Sequence, residues 1–255
     1  MRGQSQILPG SNRNGSTLVL ESSEISRTGI HYLEKILSDI FHTCNRPELS
    51  SPVFMAVREL IQNATKAGLK RIVFDDLKIN PESKDEYASG IKQFCTIIHS
   101  DRVVPYRVQL NEKNRPYRIR IDYINGAVMI QVISRFSLYT IEEKNIRQKF
   151  SNLNASCNLY EFYMRHSDMS EGAGMGIALV SFLLKNSGIN CRNFTIFTDD
   201  EKEETVSRVI IPVEEDYISP REEFLLRILD YNLNIPAFRL KIQKGEVKLR
   251  SFPDN

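Results

Sequence analysis

The stretch RELIQNATKAG, Arg58 to Gly68, combines an apolar helical repeat with polar side chains that share one side of the same helix. Glu59, Asn63 and Lys66 stand at positions i, i+4 and i+7, which places them close together on a helical surface. Apolar residues at helical spacing form a separate stripe: Phe54, Val57, Leu60, Ile61 and Ala64. The pattern predicts a helix with one face in a core and a second face available for binding.

The three polar residue types suit a nucleotide site. An Asn carboxamide oxygen is a hard ligand of the kind that Mg²⁺ prefers, and a carboxylate one turn earlier can deprotonate a hydroxyl. A Lys one turn later can contact phosphate. The same three residues also fit an ordinary solvated helix face, so this segment alone leaves both interpretations open.

A second informative stretch is SEGAGMGIALVSFLLKNSG, residues 170–188, in which Gly172, Gly174 and Gly176 precede an apolar helical pattern. Each glycine costs conformational entropy on folding, so their regular spacing needs a reason. A glycine-rich turn at a helix start can present backbone amides to phosphate, or it can act as the hinge of a movable lid. A simple turn before a core helix is the alternative, because glycine motifs alone are weak signals.

Composition predicts a globular protein and excludes some functions. The chain has 255 residues, 41% of them hydrophobic, and a net charge of +2, which is too balanced to indicate nucleic acid or an anionic membrane as a partner. The cysteines are far apart, which disfavours zinc or disulfides: Cys44, Cys95, Cys157 and Cys191. The longest apolar stretch, residues 177–184, is shorter than the roughly 18 residues of a membrane span. We therefore expect a free-standing cytoplasmic protein that binds neither a membrane nor nucleic acid itself, and a membrane-bound protein stays open as its partner.

Periodicity and turn signals divide the chain into three parts: a mobile arm (1–15), one α/β domain (16–213) and a C-terminal extension (214–255). The domain is predicted to contain strands at 16–22, 71–76 and 106–110, a hairpin around Asn125-Gly126 and a closing strand pair at 194–198 and 206–213. Its predicted helices are 27–44, 52–67 with Gly68 as C-terminal cap, 83–100, 141–150 and 176–185. The extension is predicted to be a helix (220–231) and a hairpin around Lys244-Gly245.

The two motifs together resemble a known superfamily. Glu-x-x-x-Asn-Ala on a helix, followed far downstream by Gly-x-Gly-x-Gly-Ile-x-Leu and a Thr in a final strand pair, is similar to the gyrase and histidine-kinase ATPases, which share the Bergerat fold. The resemblance covers about residues 16–213. It implies a two-layer sandwich, with helices on one face of a mixed, largely antiparallel sheet. The layout, with Glu59 at the first motif position, is most similar to the anti-sigma-factor serine kinases.

The resemblance also implies roles for individual residues. Asn63 would ligate Mg²⁺ and Glu59 would be the general base. Thr205 would help to hold the adenine, and residues 151–171 would form a lid over ATP. The implied ATP-binding set is Asn63, Lys66, Ser134, Gly172, Gly174, Met175, Gly176 and Thr205.

One motif departs from the family's pattern. The family has a first glycine box, Asp-x-Gly-x-Gly, whose Asp accepts a hydrogen bond from the adenine amino group, and this chain has Ser134-Arg-Phe136-Ser-Leu138 there. Loss of a charge-assisted hydrogen bond costs about 1.5–3 kcal/mol, or roughly 10- to 150-fold in affinity. A benzyl side chain at Phe136 would also crowd the base or fill its pocket. We therefore expect Mg·ATP binding to be weak or lost.

These observations predict two alternative functions. The first is a stand-alone cytoplasmic regulator with an impaired histidine-kinase-like ATPase domain, which acts on a regulatory protein partner as an anti-sigma or serine-kinase-like factor. The second is a binding module with the same fold that no longer binds nucleotide. Glu59, Asn63 and the glycines favour the first, while Ser134 and Phe136 favour the second. A second copy of the chain is a candidate partner under either function.

Overall fold

A six-stranded antiparallel sheet forms one layer of the protein. The computed structural model describes residues 2–4, 17–22, 26–112, 117–154 and 175–247. The strands lie in the order β1-β2-β3-β4-β6-β5, and every pair is antiparallel. They are β1 (Arg2–Gln4), β2 (Thr17–Ser22), β3 (Tyr117–Ile124), β4 (Ala127–Ser134), β5 (Phe194–Asp199) and β6 (Glu204–Pro212). In the described residues the sheet is therefore antiparallel throughout, and the prediction of a mixed sheet is wrong.

Eight helices of the described residues pack against the sheet or against one another. They are α1 (Arg27–Thr43), α2 (Ser50–Asp76), α3 (Lys84–Ile98), α4 (Val103–Glu112), α5 (Thr140–Asn154), α6 (Met175–Asn186), α7 (Pro220–Asp230) and α8 (Ile235–Gln243). Apolar residues of α1, α2 and α6 share one buried core with those of β2, β3, β4 and β6. The predicted two-layer α/β arrangement is confirmed at this level. No helix in the described residues is long and apolar enough to cross a lipid bilayer.

Local sequence signals explain why several elements begin and end where they do. The Ser26 hydroxyl accepts a hydrogen bond from the Gly29 amide at 3.0 Å and caps α1. Asn125 and Gly126 have φ angles of 49° and 80°, the positive values that a two-residue hairpin turn between β3 and β4 requires. The closing strand pair and five of the predicted helices are confirmed to within four residues at each end: 27–44, 83–100, 141–150, 176–185 and 220–231.

The predicted strands at 71–76 and 106–110 are wrong. The first belongs to α2, which continues through Gly68 instead of ending there, and the second belongs to α4. Residues of the second half of α2 form their own core with α3 and α4: Leu69, Ile72, Val73 and Phe74 contact this cluster. Helices on several sides bury this part of α2 almost completely, which removes the apolar and polar alternation that marks a helix in a sequence.

The C-terminal extension is a helical pair, so the hairpin predicted around Lys244-Gly245 is wrong. The Asn234 side chain accepts a hydrogen bond from the Ala237 amide at 2.9 Å and starts α8. The Phe238 ring contacts the rings of Phe224 and Tyr231 at centroid distances of 5.2 and 5.7 Å. These aromatic contacts fold α8 back onto α7.

Some predictions fall partly or wholly outside the described residues. Residues 2–4 of the predicted arm form β1 and pair with β2, and the rest of the arm lies outside the described residues. The same holds for Gly172, Gly174 and residues 155–171 of the predicted lid.

Candidate functional site

One face of α2 lines a cleft with a volume of about 450 Å³. Glu59, Asn63, Lys66 and Lys70 all contribute to it, and their spacing of i, i+4, i+7 and i+11 keeps them on one side of the helix. The cleft extends from this face to the start of α6, to α3 and to the ends of β4 and β6. It brings together the described residues of the predicted site: Glu59, Asn63, Lys66, Ser134, Met175, Gly176 and Thr205.

The start of α6 lies directly against Glu59 and Asn63. A Cβ atom added at Gly176 would lie 2.6 Å from Asn63 Nδ2 and even closer to Glu59 Oε1. Gly176 is helical, and it is not among the positive-φ glycines of the described residues. Close approach of two helices, rather than an unusual backbone angle, is therefore the reason for glycine at this position.

At the opposite end of the cleft, the Thr205 side chain is already hydrogen-bonded within the protein. Ser134 and Thr205 are direct partners in the β4–β6 register, and both are buried. The Thr205 hydroxyl donates to the Phe136 carbonyl oxygen at 2.7 Å, and the Phe136 amide donates to the Ser134 carbonyl oxygen at 3.0 Å. Since a hydroxyl has one proton, Thr205 has no donor left for a nucleobase and can only accept.

Phe136 lies between this end of the cleft and a buried cation. Its ring centroid is 3.7 Å from the Arg71 guanidinium carbon, a stacked geometry that favours cation–π attraction. Arg71 is only 3% exposed. Phe136 lines the cleft and also a small cavity of about 10 Å³ beside Gly68 and Leu110. Phe136 thus borders both spaces, as do Ala64 and Ser134.

A charge cluster fixes the loop that carries Phe136. The Glu142 carboxylate accepts from Arg71 Nη2 at 2.7 Å and lies 2.5 Å from Lys70 Nζ. Arg71 Nη2 also donates to the Ser137 carbonyl oxygen at 2.7 Å. Burial raises the pKa of the Glu142 carboxyl, but the charges of Lys70 and Arg71 outweigh burial, so its pKa is lowered overall.

The cleft carries cations and hard oxygen donors. Lys66, Lys70 and Lys149 line it, although Lys70 is already shared with Glu142. The Asn63 amide oxygen and the Glu59 carboxylate are side by side against Gly176, and such oxygens suit Mg²⁺ when phosphates complete its coordination. The described residues contain no group of three or more His, Cys, Asp or Glu side chains that could hold a metal without a ligand's help.

Sequence reasoning missed one whole wall of the cleft. Ile91, Phe94, Cys95 and Ile98 of α3 line it, together with Lys70 of α2. Lys70 continues the i, i+4, i+7 series, so it could have been found by extending the helix beyond Gly68. Nothing in the sequence indicates that α3 folds back beside α2, because that contact depends on tertiary packing.

Comparisons with known proteins give one distant relative. An uncharacterized protein of Treponema pallidum (strain Nichols) is 23% identical over 212 residues, which is 83% of this chain. The matched region is 40% of the relative's length, so the chain spans well under half of that protein. No protein-family model matches the chain, and neither does any solved structure.

Proposed function

We propose that this chain is a cytoplasmic regulatory protein with a histidine-kinase-like ATPase domain that binds Mg·ATP weakly. It acts on a regulatory protein partner in the manner of an anti-sigma-factor serine kinase. The observation that carries the proposal is the contact between two distant sequence motifs: Glu59 and Asn63 on α2 lie against Gly176 at the start of α6. Both motifs line the same cleft, as a nucleotide site of this type requires.

The cleft suits a phosphorylated ligand of nucleotide size. Its volume of about 450 Å³ is within the usual range for small-molecule sites, about 300–1,000 Å³. Within the described residues α6 begins at Met175, and the dipole of a helix favours an anion at its N-terminal end. Lys66 adds a cation nearby on the α2 face. Mg²⁺ bound with ATP would be held by Asn63 and would neutralise charge on the phosphates.

Glu59 is the general base in this proposal. Its carboxylate would take the proton from a hydroxyl of the partner protein while that oxygen bonds to the terminal phosphorus of ATP and ADP leaves. Glu59 is half-buried and faces the cleft, so a bound phosphate chain and an incoming hydroxyl can both reach it.

A second function is favoured by the other end of the cleft. Thr205 donates to the Phe136 carbonyl, and Phe136 stacks on Arg71, so the position expected for adenine contacts is occupied by the protein's own groups. Under this alternative the domain is a binding module that does not bind nucleotide and acts through its surface alone.

Thermal stability with and without Mg·ATP tests the proposal. Ligand binding stabilises the native state by RT ln(1 + [L]/Kd), about 1.4 kcal/mol at a ligand concentration tenfold above Kd. We expect stabilisation of the natural protein at millimolar Mg·ATP. Asn63→Ala should abolish it, whereas Gln62→Ala, an exposed neighbour outside the cleft, should not.

A double variant introduces the superfamily's Asp and Gly at the end of the cleft where the adenine contacts are expected. Ser134→Asp with Phe136→Gly supplies a carboxylate and space for a base, and we expect affinity for Mg·ATP over Mg·GTP to rise by roughly 10- to 150-fold. Phe136→Gly alone is the control for the lost ring. If a folded natural protein and a folded double variant both show no stabilisation, the binding-module function replaces the ATPase.

A further inference from the structure

Helix α3 presents apolar side chains to the cleft although no part of it was expected there. Phe94, Cys95 and Ile98 lie along its cleft side, one helical turn or less apart. Polar groups dominate the facing stripe of α2 from Glu59 to Lys70. The α2 side of the cleft thus suits the phosphates of a ligand, and the α3 side suits an apolar part of it.

The wall is held firmly in place. The Tyr87 ring of α3 meets the Phe74 ring of α2 edge-on at a centroid distance of 5.6 Å, and Lys70 Nζ lies 3.2 Å from the Tyr87 hydroxyl. A Cβ at Gly90 would lie 3.0 Å from the Phe74 ring, which shows how closely α3 approaches α2. A wall fixed by such contacts is already shaped before a ligand enters.

We infer that α3 is the nucleobase wall of the cleft, which receives the faces of the ligand's ring. The inference rests on the proposed nucleotide-binding function and names how the base is held. At the edge of the base, the Thr205 hydroxyl already donates its hydrogen bond to the Phe136 carbonyl oxygen, so it is not available as a donor to the ligand. The faces of a purine are apolar, and aromatic and aliphatic side chains bind them with little preference for one base. The site therefore takes purine nucleoside triphosphates generally rather than ATP alone.

Cys95 provides a direct reporter for this wall. It is half-buried and lines the cleft, whereas Cys191 is exposed and lies outside it. The rate of alkylation of each thiol is measured by mass spectrometry in the full chain, with saturating Mg·ATP, Mg·GTP or Mg·tripolyphosphate. We expect both nucleotides to slow the modification of Cys95 several-fold, tripolyphosphate to slow it much less, and none of them to change Cys191.

A variant pair tests the same contact energetically. Ile98→Ala removes apolar surface from this wall. The affinity for Mg·ATP and for Mg·GTP should fall by a similar several-fold factor, while the affinity for Mg·tripolyphosphate should not change. Gln93→Ala, an exposed α3 residue outside the cleft, is the matched control. Melting curves without ligand establish that each variant is folded.

The outcomes separate the two proposals. Saturable nucleotide binding with unprotected Cys95 and an unaffected Ile98→Ala variant would overturn the nucleobase wall but keep the nucleotide site. Equal protection by tripolyphosphate would likewise overturn it, since phosphates would then lie against α3. Absence of any saturable binding would overturn the proposed function and the wall together.

Discussion

The two halves of α2 use their polar side chains in opposite ways. In the first half, Glu59, Asn63 and Lys66 line the cleft, and within the described residues their side chains make no hydrogen bond or ion pair. In the second half, Lys70 and Arg71 are bound to the Glu142 carboxylate, and Arg71 also holds the loop after β4. One half is left available to a ligand, while the other fixes the shape of the protein.

The same difference separates the two ends of the cleft. Arg71 and Thr205 hold the loop at residues 134–138 by donating to the backbone carbonyl oxygens of Ser137 and Phe136. Those bonds stabilise the loop without a nucleotide. Within the described residues, no comparable side-chain hydrogen bond holds Glu59 and Asn63 where they meet Gly176. Substitutions in the second half should therefore change stability most, and substitutions in the first half should change binding most.

The largest expected effect is the loss of the buried carboxylate. Glu142→Gln leaves Arg71 and Lys70 without their counter-charge, and breaking a buried pair in this way costs about 3–5 kcal/mol. Urea unfolding measures the change. The neighbouring Glu143→Gln is the matched control, because its pair with Arg147 is exposed and should be worth less than about 1 kcal/mol. Equal effects of both substitutions would show that the cluster does not fix the fold.

The same carboxylate should make stability depend on acid. The pKa of Glu142 is lowered in the folded state, so its ionised carboxylate stabilises the protein at pH values above the ordinary carboxyl pKa. This stabilisation is lost as pH falls through the folded pKa. The stability difference between the natural protein and Glu142→Gln should therefore shrink below about pH 4, by at most about 1.4 kcal/mol per pH unit. Unfolding curves from pH 7 to 3 test this. A difference that grows as pH falls would mean that the folded pKa is raised.

A smaller effect on stability, with a large effect on binding, is expected at Gly176. In Gly176→Ala the new methyl group overlaps Glu59 Oε1 and Asn63 Nδ2, but both atoms end flexible side chains and can move aside. The free energy of unfolding should fall by about 1 kcal/mol, near the lower limit for overpacking. Under the proposed function, stabilisation by Mg·ATP should disappear, since Asn63, the proposed Mg²⁺ ligand, and Glu59, the proposed general base, are both displaced. Retained nucleotide binding in a folded Gly176→Ala protein would show that this contact is not part of the site.

The sequence predicted the elements that follow one clear period. Residues of α1 repeat their apolar side chains at helical spacing, and Asn125-Gly126 marks the turn between β3 and β4, so both could be located without a structure. The contact of Gly176 with α2 joins two motifs that sequence reasoning had already placed in one site. In these cases local chemistry and tertiary position agree.

The sequence-based predictions are wrong where tertiary packing buries more than one face of a helix, because its apolar residues then no longer repeat at helical spacing. Ile72, Val73 and Phe74 are consecutive and all buried, because α3 and α4 cover a side of α2 that would otherwise face solvent. Such a run cannot be distinguished from a buried strand by its pattern alone. The sequence of α8 does contain a local helix signal, because Asn234 followed by Pro236 is a typical helix start.

The smallest effect is expected for Gly68→Ala, which distinguishes Gly68 as the C-terminal cap of a helix from Gly68 as an interior residue of α2. If this residue ended the helix, it would have a positive φ, and Ala there would cost about 1 kcal/mol or more. In the structure Gly68 lies inside α2, where Ala is favoured over Gly by about 1 kcal/mol. Against that gain, an added Cβ would lie 3.0 Å from Leu110 Cδ1 of α4, so Leu110 must shift slightly.

The two terms nearly cancel, so Gly68→Ala should change the free energy of unfolding by less than about 1 kcal/mol. Gly188→Ala is the control, because Gly188 has a φ of 74° and no heavy atom within 4 Å, so Ala there meets backbone strain alone. Urea unfolding of both variants measures the difference. A loss at Gly68 as large as that at Gly188, with reduced helical circular dichroism, would contradict a continuous α2. In a helix broken at Gly68, Lys70 and Arg71 would no longer belong to the helix that carries Glu59 and Asn63.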